Sequence, residues 1–165
     1  MLRERDLTHP LTGSRAEEFL ALWQTILERI FRIRNGSREM PDVLNGVEEF
    51  CRALGLATQP ALEVRLVAEE VLTNFVNYAH ALTEEPVVEL RLSASPESVR
   101  LEFRDAGGPF NPLDTPLPDL TSPPEKRGIG GLGIHLVKSL MDDASYAREG
   151  AVNILVLIKH VGSTV

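Results

Sequence analysis

The sequence predicts an α+β fold: a two-layer α/β sandwich whose sheet is mixed but mostly antiparallel and carries its helices on one face. Three observations predict it. Segments with apolar residues three and four apart are followed by segments of strict period 2. The period-2 segments come in pairs joined by short polar turns, an order that builds hairpins rather than βαβ units. A chain of 165 residues with 43% hydrophobic content is one domain with a substantial core.

Residues 1–27 read as an N-terminal extension. Within it Ser14 caps a helix running to about Leu27, Glu17 takes the capping-box position, and Phe19, Leu20, Trp23 and Leu27 form a stripe. Arg29 to Arg34 is a short strand ended by the turn signal Asn35-Gly36. Met40 to Leu54 is a helix stopped by Gly55, and Ala61 to His80 is the next. Val87 to Leu92 and Val99 to Asp105 alternate as strands of a hairpin joined by Ser93 to Ser98. Asn111 to Lys126 holds five prolines and is a loop. Leu132 to Met141 is a helix; Ala144 to Arg148 and Val152 to Lys159 are strands linked by Glu149-Gly150.

The net charge of −7 disfavours nucleic acid and anionic membranes, both of which demand basic surface. The single cysteine, Cys51, sits in the apolar pattern Val47, Phe50, Leu54 and reads as a buried core thiol. The first fifteen residues lack the apolar run of a signal peptide, and no stretch approaches the roughly 20 apolar residues of a membrane span, so the expected compartment is the cytoplasm.

Three places carry chemistry. The first is Arg127 to Asp143, where Gly128, Gly130, Gly131 and Gly133 run into a helix. Glycines admit close backbone approach, and a helix N-terminus offers free N–H groups, so this is either a phosphate cradle or a hinge before a core helix. The G-x-G-x-x-G spacing is not a dinucleotide fingerprint, because a proline-rich loop and not a strand precedes it. No P-loop motif occurs. The second place is the helix 61–80. Its apolar face is Val64, Val67, Ala68, Val71, Leu72, Phe75, Val76 and Ala79, while Glu63, Glu70, Asn74 and Asn77 share another face. That face is either merely solvated, or Glu70 and Asn74 at i, i+4 offer hard oxygens to Mg²⁺ and a carboxylate for general-base work. The third is Asp105-Ala106-Gly107-Gly108-Pro109-Phe110. Period 2 puts Asp105 on the core face with Val99, Leu101 and Phe103, where it either caps the turn or accepts a hydrogen bond from the exocyclic amine of adenine, with Gly107 letting the ring approach.

The order of these pieces resembles the Bergerat-type ATP-binding fold of gyrase B, histidine kinase catalytic domains and bacterial anti-sigma factor kinases, over residues 28–160. Within it the chain is most similar to the anti-sigma factor serine/threonine kinase family. Glu69-Glu70-Val71-Leu72-Thr73-Asn74 with Tyr78-Ala79-His80 is similar to that family's helix. Gly130-Gly131-Leu132-Gly133-Ile134-His135-Leu136-Val137, continuing to Leu140-Met141-Asp142, is similar to its glycine helix. The resemblance implies an ATP- and Mg²⁺-dependent protein kinase that phosphorylates a Ser or Thr of an anti-sigma factor antagonist and exchanges that partner for a sigma factor. It gives Glu70 the role of base and Asn74 that of Mg²⁺ ligand, and it sets Asp105, supported by Gly107, against adenine. The cradle falls on Gly130, Gly131, Leu132 and Gly133, and the segment 111–130 becomes the ATP lid, with Arg127 either on a phosphate or solvated. Relatives commonly form homodimers. The same resemblance also admits an ATP-binding module that only sequesters a partner, or a detached catalytic half of a histidine kinase. A metal reading of His80 and His135 has no cysteine support.

Overall fold

The computed structural model describes residues 28–34, 36–79, 87–95, 97–114 and 132–161. The helix expected over 14–27, the lid beyond residue 114, and Arg127, Gly130, Gly131 and His80 lie outside the described residues.

Strand β1 (Glu28–Ile33) leads into helices α1 (Gly36–Ala53) and α2 (Thr58–Ala79). The hairpin β2 (Val88–Ser95) and β3 (Ser98–Asp105) follows, then a single 3-10 turn at Pro112–Asp114 that opens the predicted loop. Helix α3 (Leu132–Leu140) and the hairpin β4 (Asp143–Glu149) and β5 (Val152–His160) complete the described fold. The five strands lie in the order β1-β2-β3-β5-β4. All four pairings are antiparallel, so the sheet expected to be mixed has no parallel pair among the described strands.

Local chemistry explains the boundaries. Helix α1 ends in a Schellman arrangement: Gly55 N donates to Arg52 O, Leu56 N donates to Cys51 O, and Gly55 takes φ +68°. The β4–β5 hairpin turns on Gly150 with φ +59°, the first central position of a two-residue turn, where a side chain would be strained. In the β2–β3 turn Ser95 Oγ accepts from the N–H groups of Glu97 and Ser98, and this draws the strands further together than the polar segment 93–98 suggested.

The core lies between the sheet and the helices. Leu90, Leu92, Leu101, Phe103, Leu155 and Leu157 rise from the strands against Val47 and Cys51 of α1, Val64, Val67, Ala68 and Leu72 of α2, and Val137 of α3. Burial pushes the Cys51 thiol up to about 11, so it stays protonated, as a core thiol should.

Lys159 fastens the helices that frame the site. Its Nζ lies 2.7 Å from Glu63 of α2 and donates to Leu140 O at the C-terminus of α3 at 2.9 Å. The hydrogen bond from Lys159, and then that from Gln59, hold the Glu63 carboxyl below the usual range, and Glu63 raises Lys159 in turn. A depressed carboxylate stabilises the fold above its unfolded pKa of about 4.3 and loses that contribution as pH falls through its lower folded value. Lys159→Met is therefore expected to cost about 2 kcal/mol at pH 7. It should also flatten the acid side of the stability profile, and thermal unfolding at pH 7 and below pH 4 checks both expectations.

Candidate active site

Helix α2 buries Val64, Val67, Ala68, Val71 and Leu72 in the core, which turns Glu70 toward α3 and Asn74 toward Ile134 of α3 and Leu155 of β5. The two residues part there. Glu70 lies against the first turn of α3: a Cβ on Gly133 would overlap the Glu70 carboxylate and stand 2.6 Å from its Cγ. Asn74 lines an open cleft of about 290 Å³ together with Val71, Phe75, Phe110, Pro112, Ile134 and Leu155. An apolar lining with one amide suits a flat, mostly apolar ring. Glu63, seven residues before Glu70 on the same helix, is bound to Lys159 of β5.

The sheet contributes Leu155 to the cleft. Phe103 pairs with Leu155, and its ring lies 6.2 Å from that of Phe75. One same-face step further along the two strands, Asp105 pairs with Asn153. Asp105 is 8% exposed. Its Oδ1 accepts from Gly107 N at 2.8 Å, which is the turn cap considered from sequence. It also accepts from Asn153 Nδ2 at 3.1 Å. Its Oδ2 is buried and has no partner among the described residues. One carboxylate oxygen thus caps the turn, and the other is left without a donor among the described residues. An unsatisfied buried carboxylate oxygen is costly, and a hydrogen-bond donor reaching it would satisfy it. A side chain at Gly107 would come within 2.7 Å of Asp105 Oδ1, so glycine there keeps the carboxylate in place.

The described residues contain no group of three or more His, Cys, Asp or Glu able to hold a metal, and His135 has no such company. At Leu132 only the backbone, the first residue of α3, is described. Sequence reasoning missed Asn153, Tyr146 and Arg148, which stand behind Asp105. The signal available was one asparagine within the apolar run from Val152 to Ile158.

Helix α2, which bears Glu70, and the glycine-led helix α3 line this cleft through Asn74 and Ile134, and the strand ending in Asp105 runs beside Leu155 of the same lining. The sequence profile of the histidine kinase-like ATPase domain matches residues 34–159. The chain belongs to that family. Within it, this ATPase domain is 30% identical over 95 residues to the serine/threonine-protein kinase BtrW of Bordetella bronchiseptica, covering 58% of this chain and 67% of that one. It is 26% identical over 114 residues to the serine-protein kinase RsbW of Oceanobacillus iheyensis, covering 62% and 67%. These similarities place the domain with the anti-sigma factor kinases. Two solved structures share the fold. The SiaB–SiaC complex from Pseudomonas aeruginosa matches with TM-score 0.56 and 11% identity, over 91% of this chain and 99% of that one. The RsbU and RsbW domains of a Mycobacterium tuberculosis protein match with TM-score 0.51 and 14% identity over 81% of this chain; the domain spans 32% of that chain. No helix among the described residues is long and apolar enough to cross a membrane.

Proposed function

We propose that this domain binds Mg-ATP in the cleft and transfers the terminal phosphoryl group to a Ser or Thr hydroxyl of an antagonist protein, as a switch kinase that alternates between that antagonist and a sigma factor. The observation that carries the reading is the placement of Glu70 against the first turn of α3, which puts a carboxylate beside a helix N-terminus suited to phosphate. Asp105 Oδ2 takes the adenine amine. Asn74 faces the cleft from the same helix as Glu70 and supplies an amide oxygen to Mg²⁺ or to its water shell. Bound Mg²⁺ offsets negative charge on the phosphates. Glu70 takes the hydroxyl proton as the oxygen bonds to the γ-phosphorus, the bond to the β-phosphate oxygen breaks, and ADP leaves. Positioning and electrostatics account for most of the rate in such a transfer.

Supporting this reading are the family of the chain and the names of its relatives, which are protein kinases. Calorimetry tests the first step: the purified protein is expected to bind ATP and ADP with Mg²⁺ and to prefer adenine to guanine. Asp105→Asn should weaken that binding by about 1.5–3 kcal/mol, the worth of a hydrogen bond to a charged group. Absence of any adenine nucleotide binding by the wild type rejects the reading.

A further inference from the structure

We propose that Asn153, held by Tyr146 and Arg148, is a positioning residue that fixes Asp105 and thereby sets selectivity for a purine with an exocyclic amino group. The inference rests on the nucleotide-binding reading above and deepens it. Asn153 is 3% exposed, on a strand whose neighbours are apolar, so its amide needs a full set of partners. It has them. Oδ1 accepts from Tyr146 Oη at 2.7 Å and from Arg148 Nη1 at 2.5 Å. Nδ2 donates to Asp105 Oδ1 at 3.1 Å and to Gly108 O at 2.9 Å.

The guanidinium decides the orientation of this amide. Arginine has no acceptor, so the Asn153 atom that faces Arg148 must be the oxygen. The amide N–H groups then face Asp105 and the Gly107-Gly108 turn. Arg148 also donates to Gly107 O at 3.2 Å, so both glycine carbonyls are held from behind by side chains of β4 and β5. Asp105 Oδ1 is thereby filled twice, by Gly107 N–H and by Asn153, and the carboxylate is locked with the buried Oδ2 as its unpaired acceptor. An amine at purine C6 donates to that atom. A keto oxygen at C6 meets it lone pair to lone pair, and a locked carboxylate cannot turn aside. The selectivity arises from the lock, which Asp105 alone does not provide.

The test is calorimetric binding of ATP and ITP with Mg²⁺, partner protein absent, with thermal unfolding recorded for every variant. The wild type is expected to favour ATP. Asn153→Ala should reduce the ATP-to-ITP affinity ratio about 10-fold, by weakening ATP far more than ITP. Tyr146→Phe should reduce the same ratio by a smaller factor, and the double variant should be no less selective than Asn153→Ala alone, because Tyr146 acts through Asn153. Equal loss of ATP and ITP affinity in Asn153→Ala means a merely structural role and overturns the inference. So does a Tyr146→Phe effect that adds in full on the Asn153→Ala background. If Asn153→Ala does not fold, an unchanged ratio in Tyr146→Phe overturns it. A wild type that binds neither nucleotide defeats the nucleotide reading itself, whereas variants that keep wild-type selectivity defeat only the lock.

Discussion

Glu70→Gln is expected to leave nucleotide affinity intact and to slow phosphoryl transfer to a genuine antagonist roughly 10²–10⁴-fold, the usual worth of a general base. Glutamine keeps the length and shape of the side chain, so the contact with the first turn of α3 survives while the basic oxygen is lost. The two functions are spatially separable. The unpaired oxygen proposed for the nucleobase belongs to Asp105 on β3, whereas Glu70 meets Gly133 across the α2–α3 contact. Transfer measured with radiolabelled ATP, beside calorimetric affinity, distinguishes the outcomes. Equal transfer rates for wild type and variant remove Glu70 from the mechanism, whereas absence of transfer by the wild type itself favours the partner-sequestering module.

Much of this fold is legible along the chain because its elements are locally consistent. The apolar spacing of Val64, Val67, Val71 and Leu72 and the alternation of Val99, Leu101 and Phe103 each fix a face, and those faces are buried. Boundaries were harder to see. Helix α1 begins at Gly36, ahead of the expected start at Met40, and carries Pro41 in its first turns. The site was legible as residue types and illegible as contacts. Glu70, Asp105 and Gly133 stand out singly, but only the packing of α3 on α2 brings Gly133 onto Glu70. Asn153 acquires its meaning from a register, Asp105 opposite Asn153, set by the whole length of the β3–β5 ladder. Lys159 reads as an ordinary strand-end cation until Glu63 and the C-terminus of α3 are placed around it. Non-local pairings of this kind depend on topology, which periodicity does not encode.

Gly133→Ala is the sharper test of that geometry, because it adds one methyl group and should act at a distance from the methyl's own chemistry. Alanine favours a helix over glycine by up to about 1 kcal/mol, so thermal stability is expected to hold or rise. The added Cβ, however, occupies the space of the Glu70 carboxylate and stands 2.6 Å from Cγ. Backbone on both sides is fixed by helix packing, so the flexible Glu70 side chain is what moves. A base displaced by about 1 Å from its working position costs on the order of 10²-fold in rate, and that is the expected fall in transfer. A double-mutant cycle identifies the cause. If Gly133 acts by making room for Glu70, then Gly133→Ala adds no further loss on the Glu70→Gln background, and nucleotide affinity stays near wild type in both. If instead Gly133 matters because a phosphate approaches its backbone, Gly133→Ala weakens ATP binding in both backgrounds alike. The two physical roles of one glycine, clearance for a carboxylate and clearance for a phosphate, thus separate on whether the loss appears in rate or in affinity.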